Sequence, residues 1–140
     1  MLNGSPFGFF KPGRGLRQRD PLSPFLFILG SEVLSRMLGR VENYGLFHGI
    51  KVSRRALSLS HLLFADDIMI FSRANTREVN QISIVLEEYA RLSGQKINKA
   101  KSSLFCSGNT HSEVVVALCN SLQVKKMAMN NKYLGLLLFI

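Results

Sequence analysis

The chain has 140 residues, with 18 Lys and Arg against 9 Asp and Glu, a formal charge of +9, and 46% hydrophobic residues. That apolar content supports one folded core and argues against intrinsic disorder, while the length leaves no room for two domains of ordinary size. The apolar runs at 25–29 and 134–140 fall short of the ~20 residues of a membrane-spanning helix, and Met1 is followed by polar, Gly- and Pro-rich sequence with no signal-like core, so the expectation is an intracellular protein, nuclear or cytoplasmic, with no membrane partner.

Residues 1–12 read as a short hairpin, with Asn3-Gly4-Ser5-Pro6 as its turn, after which Pro12, Gly13 and Gly15 enforce a loop. Ser23 as N-cap and Pro24 at the first helical position open a helix of about 20 residues. Its apolar stripe is Leu22, Leu26, Leu29, Val33, Met37 and Val41, and its end lies near Gly45. Strand-like runs follow at 49–52, 58–64 and 68–72. The last two are separated by Ala65-Asp66-Asp67, a hairpin turn with two carboxylates at its tip.

Asn75 and Glu78 resemble a capping box, and Val79, Ile82, Leu86 and Tyr89 continue at helical spacing until Ser93-Gly94. A short strand at 103–106, a third helix starting near Thr110 with Glu113 as capping partner, and a final strand from Tyr133 to Ile140 complete the chain. The pattern predicts an α+β fold, helices packed against one antiparallel sheet. The last strand runs apolar to the final residue without turn or cap, and the expectation is a piece of a larger fold.

The positive charge is clustered. Lys11, Arg14, Arg17 and Arg19 form one acid-free group and Arg91, Lys96, Lys99 and Lys101 another, a pattern that favours phosphate binding over two merely solvated loops. Cys106 and Cys119 stand 13 positions apart with no Cys/His cluster around them, which argues against a zinc site or disulfide scaffold and for small buried hydrophobes. His48, His61 and His111 have no nucleophile or acid constellation in sequence and read as structural.

The chain contains three aspartates, Asp20, Asp66 and Asp67, and two of them are adjacent in an apolar hairpin. Neighbouring carboxylates repel, and a bound divalent cation is their natural stabiliser. Mg²⁺ takes one or two carboxylates plus substrate phosphates, and a two-metal site clamps the attacking and leaving oxygens of a phosphoryl transfer. An Asp-Asp pair alone is common in surface turns; the strand-Asp-Asp-strand setting is what favours metal.

Four ordered blocks carry a resemblance. Arg14-Gly-Leu-Arg-Gln-Arg-Asp-Pro-Leu-Ser-Pro24, Phe64-Ala-Asp-Asp67, Ser93-Gly-Gln-Lys-Ile-Asn98 with Lys101-Ser102, and Lys132-Tyr-Leu-Gly-Leu136 closely resemble the reverse transcriptase domain of LINE-type (non-LTR) retrotransposons, particularly those of plants. The resemblance covers essentially the whole chain. It implies that residues 1–140 are one partial domain, truncated at both ends: part of a polymerase palm running toward the thumb. The implied activity is RNA-directed DNA polymerisation, nucleotidyl transfer from a dNTP to a primer 3′-hydroxyl, with RNA template, DNA primer and dNTPs as partners and Mg²⁺ as cofactor in a two-metal site.

By the same resemblance Asp66 is a catalytic metal ligand and Asp67 supports it. Arg17, Gln18, Asp20, Pro21, Ser23 and Lys101 belong to the nucleotide and template pocket, and Tyr133, Leu134 and Gly135 support the primer end. Position 19 carries Arg where the family has Gly, which places a Cβ and a long cation where the backbone needs freedom and implies impaired nucleotide binding. The family's further catalytic aspartate lies on a strand before the first block, and the chain starts after it. The expectation is therefore a chain inactive by itself; the alternative is a non-catalytic basic remnant that binds RNA or an RNA–DNA hybrid.

Overall fold

Asp20 turns the chain into its first helix. Its Oδ1 accepts the Leu22 N–H at 2.9 Å and its carbonyl accepts the Ser23 N–H at 3.1 Å, and α1 runs from there over Ser23–Asn43. The expected Ser23 cap is therefore corrected by one residue: Leu22 occupies the N-cap position with helical backbone and no capping bond, because the upstream aspartate already forms the turn. Gly45 ends α1 with φ +67°, donating to Glu42 O, while Leu46 N–H reaches Val41 O. This is the glycine-dependent Schellman closure that the sequence predicts.

The computed structural model describes residues 16 and 19–127, together with the backbone of 132–133 and 136–137. The hairpin expected at 1–12, the side chains of Lys11, Arg14, Arg17 and Gln18, and Leu134 and Gly135 lie outside the described residues.

The buried face of α1 differs from the expected stripe. Leu34 and Leu38 are buried and Met37 and Val41 pack beside them, whereas Leu22 (66%), Leu26 (52%), Leu29 (62%) and Val33 (46%) are exposed. The reason is geometric: nearly every step of the stripe is i+4, so at 100° per residue it rotates by about 100° between position 22 and position 41. Its last two members reach the core and its first four face solvent.

After α1, Phe47 returns into the core with no exposed surface. The strand expected at 49–52 reduces to one bridge, Ile50 with Leu59, and the chain then enters β1, His61–Phe64, which pairs antiparallel with β2, Asp67–Ile70. Phe64 pairs with Asp67, so the loop is the two residues Ala65 and Asp66, and Asp67 is the first residue of β2 rather than part of the turn. Ala65 has φ +49°, the left-handed conformation that two-residue hairpins demand, at a cost of roughly 1–2 kcal/mol for a residue with a Cβ.

Asn75 caps α2, Thr76–Ser93, by accepting the Glu78 N–H at 2.8 Å, and Gly94 closes the helix with φ +75°. Val79, Ile82, Val85 and Tyr89 are its buried face, and Ile82, Val85 and Tyr89 join Leu34, Leu38 and Phe47 in the core between α1 and α2. Leu63 and Ile70 of the hairpin pack against that cluster.

The third helix, α3, spans Ser112–Leu122 and packs on α2, with Val115 and Leu118 buried. Its start near Thr110 is corrected to His111 as N-cap without a side-chain cap bond, since Thr110 is engaged in a turn with Ser107. The strand expected at 103–106 is β3, Ser103–Leu104, and it pairs parallel with β4, Lys125–Lys126, after the α3 crossover that a parallel pair requires. Lys132–Tyr133 (β5) and Leu136–Leu137 (β6) pair antiparallel. The α+β class holds, but the described strands form three two-stranded pairs, one of them parallel, rather than one antiparallel sheet.

Candidate active site

The register of the β1–β2 hairpin decides where its carboxylates point. Leu63 and Ile70 pack on the core, whereas Phe64 and its cross-strand partner Asp67 are exposed together with Leu62 and Ile68. Asp66 occupies the turn beside them, and both carboxylates are exposed. The apolar surroundings expected from sequence therefore impose no burial on the pair. What remains next to them is Phe64, 58% exposed.

The pair fits a hard cation in the chemistry of its donors: two anionic oxygen ligands, adjacent in sequence, on a short turn open to solvent. It is not a complete cage. Among the described residues no group of three or more His, Cys, Asp or Glu is assembled that could hold a metal.

The pocket residues expected from sequence fall in two places. Asp20 and Ser23, with Leu16, Arg19, Pro24, Phe27 and Ile28, line a shallow hollow of about 460 Å³ at the start of α1. Pro21 is exposed beside it, and Arg17 and Gln18 lie outside the described residues. Arg19 has φ +67°, so the residue that replaces the expected glycine sits in the left-handed region. It bears a strain of roughly 1–2 kcal/mol that glycine would not.

Lys101 lies elsewhere, in a turn closed by Lys101 N–H and Ser102 N–H donating to Asn98 O, just before β3. Among the described residues no bond links it to Asp20, Ser23 or Asp66. Of Tyr133, only the backbone is described, in β5.

The fold also assembles cations that sequence spacing does not connect. Pairing of Ser103 with Lys125 and Leu104 with Lys126 brings β4 beside the loop of Lys96, Lys99 and Lys101, and Lys99 Nζ donates to Gln123 Oε1 at 2.7 Å. All five lysines are exposed. Lys125 and Lys126 were not singled out from the sequence, where a Lys-Lys pair after an apolar helix is the only signal. Lys51, Arg54 and Arg55 form a further exposed basic loop above the Ile50–Leu59 bridge, in a stretch without Asp or Glu from 43 to 65.

Two glutamates hold the scaffold under the hairpin. Glu78 is 5% exposed and accepts the His48 N–H at 2.9 Å, His48 Nδ1–H at 3.0 Å and the Arg73 N–H at 3.2 Å. Burial pushes its carboxyl up, but the His48 amide and ring, the Arg73 amide and the Asn75 side chain outweigh that and hold it below the ordinary glutamate value. Glu42 accepts Ser58 Oγ at 2.6 Å and the Gly49 N–H at 3.3 Å. It too is held low, burial being outweighed by Ser58, Ser60, Gly49 and nearby His61.

The two thiols are free and half-buried, and burial, with Cys119 close by, pushes the Cys106 thiol up against the opposing charge of Lys126, so Cys106 does not carry the signature of a reactive thiolate.

The family model for reverse transcriptase (RNA-dependent DNA polymerase) matches residues 1–138. An uncharacterized mitochondrial protein of Arabidopsis thaliana is 54% identical over 67 residues, 48% of this chain and 55% of that protein. A retrovirus-related Pol polyprotein from type-1 retrotransposable element R2 of Nasonia vitripennis is 40% identical over 76 residues, 54% of this chain and 6% of that protein. The matched stretches thus cover about half of the first relative and a small part of the second.

Proposed function

Because the chain belongs to the reverse transcriptase (RNA-dependent DNA polymerase) family, we propose that it carries the catalytic hairpin of a LINE-type polymerase palm, with Asp66 and Asp67 as metal-binding carboxylates. The observation that supports this most is the tip itself: Phe64-Ala65-Asp66-Asp67 folds as a two-residue hairpin loop that leaves both carboxylates open to solvent. Mg²⁺ bound there would stabilise the charge that develops on the oxygens of a nucleotidyl transfer. The protein's own part is to hold two acceptor oxygens on a rigid turn, with Leu63 and Ile70 anchoring the hairpin in the core. Asp20 shapes the hollow at the start of α1, which we assign to the nucleotide and template side.

The tip supplies only part of a coordination sphere, which matches a family site that draws a further aspartate from another strand. In primer extension on an RNA template with Mg²⁺, the chain alone is expected to give no product, and addition of a segment bearing that strand is expected to restore it. Extension by the chain alone, abolished by Asp66→Ala, would overturn the view that the site is incomplete.

The five exposed lysines around β3 and β4 favour a second reading, a basic surface that binds RNA or an RNA–DNA hybrid without catalysis. If Lys99, Lys101, Lys125 and Lys126 each meet a phosphate of a single strand, log K falls against log salt with a slope of about −2.8. Lys125→Glu with Lys126→Glu is expected to halve that slope. Fluorescence anisotropy of a labelled RNA across a salt series measures it, and a flat response excludes the reading.

A further inference from the structure

α1 contains two glycines within the helix, and the fold explains one of them. A Cβ at Gly30 would come within 3.4 Å of the Tyr89 hydroxyl, so packing against α2 keeps that position small. A Cβ at Gly39 would meet nothing within 4 Å among the described residues, although glycine weakens a helix interior relative to alanine. The described packing gives no reason for that glycine.

Gly39 lines a hollow of about 540 Å³ together with Arg36, Arg40, Asn43 and Tyr44, which are all exposed. The volume falls within the range of small-ligand sites, and the hollow lies on the solvent side of the helix. Tyr44 is 67% exposed, and the Arg40 guanidinium sits over its ring, 5.8 Å from the centroid. Arg36 pairs with Glu32 at 2.8 Å, an exposed pair on successive helical turns that a stronger anion can displace. The missing Cβ leaves open helix surface beside an aromatic ring and two cations.

More cations are tied to the same end of α1. Glu42, in the last turn, accepts the Ser58 hydroxyl at 2.6 Å and the Gly49 N–H at 3.3 Å, and so holds both ends of the loop that carries Lys51, Arg54 and Arg55. Those three are exposed, and among the described residues none of them pairs with an acid. Of the two acids of α1, Glu42 is engaged with the loop and Glu32 with Arg36, so the surface stays positive.

We propose that this end of α1 is a binding site for single-stranded nucleic acid. An unpaired base stacks on Tyr44 and lies across Gly39, where a Cβ would hold it off, while Arg36, Arg40, Lys51, Arg54 and Arg55 take the neighbouring phosphates. An aromatic ring set among cations is the recurrent platform for unpaired bases, whereas a duplex keeps its base faces stacked inward and can use only the cations. An acidic peptide would need the cations but neither the ring nor the open glycine. The site shares no residue with the Asp66–Asp67 turn or with the lysines of β3 and β4, and it rests on neither reading of them.

The test uses the intact chain and a short fluorescein-labelled oligouridylate, free and annealed to its complement, followed by fluorescence anisotropy. Every protein carries Lys125→Glu with Lys126→Glu, so that the β3 and β4 surface is weakened throughout. In that parent, Tyr44→Ala is expected to bind the single strand about tenfold more weakly and the duplex equally well, whereas Tyr44→Phe keeps the ring and stays within about twofold. Gly39→Gln is expected to weaken single-strand binding about fivefold while melting at or above the temperature of its parent, since the glycine serves the ligand and not the fold. Arg54→Ala with Arg55→Ala is expected to flatten the salt slope for the single strand by about 1.4, the share of two phosphates.

Unchanged single-strand affinity in both Tyr44→Ala and Gly39→Gln would overturn the proposal. Equal losses for strand and duplex in Tyr44→Ala would remove the stacking role and the proposal with it. A parent that loses all the binding shown by the unsubstituted chain would assign the strand to β3 and β4, sinking this site and leaving the Asp66–Asp67 reading untouched. Poly-glutamate that displaces the strand as well as unlabelled oligouridylate does would give the surface to an acidic protein segment instead.

Discussion

Asp66→Asn is expected to lower primer extension about 10³-fold wherever this chain contributes to a complete polymerase site, a loss of ~4 kcal/mol of transition-state stabilisation. The asparagine keeps the size of the side chain and removes the charge that a divalent cation needs. Asp67→Asn is expected to cost less, about tenfold to a hundredfold, since the family reading gives Asp67 the supporting role. Neither change touches the core. Both side chains are exposed, so the fold is expected to stay within roughly 0.5 kcal/mol of the wild type. The measurement is single-nucleotide incorporation on an RNA template, with a segment bearing the proposed further aspartate supplied. An Asp66→Asn protein that incorporates at the wild-type rate would remove Asp66 from the chemistry.

Glu78→Ala is expected to destabilise the folded chain by about 3 kcal/mol. The carboxylate gathers three donors from two other segments, His48 by its amide and ring and Arg73 by its amide, while its own N–H is held by Asn75. Alanine leaves the Asn75 cap in place and strips the partner from all three, one loop after α1 and one after β2 losing their common anchor. Glu78→Gln retains a single acceptor oxygen and is expected to cost roughly half as much. Urea denaturation at neutral pH measures both, and a Glu78→Ala cost below about 1 kcal/mol would show the anchor to be dispensable.

The pH dependence has a definite sign. Glu78 and Glu42 both titrate below the ordinary glutamate value of 4.5 in the folded chain, so their stabilisation is complete above that value and is lost as pH falls through the lower folded values. The wild type should lose stability steeply on acidification below pH 4.5, and Glu78→Gln should lose it less steeply over the same range.

Much of the local structure was legible because its causes lie within a few residues of one another. Gly45 and Gly94 stop their helices by taking positive φ, Asn75 caps α2, and the expected turn at Ala65-Asp66-Asp67 separates two apolar runs, although its last residue already pairs as the start of β2. Arg19 was legible as an odd residue in a glycine position, and its φ of +67° is the physical form of that oddity. The helix start at Ser23 was misread by one residue because a side chain outside the helix, Asp20, made the turn first.

The sequence by itself determined the helices, the carboxylate hairpin and the family to which its four motif blocks point, since each depends on neighbours along the chain. Tertiary structure alone decided which side of α1 is buried, that Glu78 reaches His48 and Arg73, that Lys125 and Lys126 stand beside the Lys101 loop, and that Ser35 meets His61. The physical reason is that α1 and β1 both carry apolar residues on two faces. Periodicity then leaves the choice of face open, and it is settled by packing partners and by hydrogen bonds between distant residues, such as Ser35 and His61, 26 positions apart.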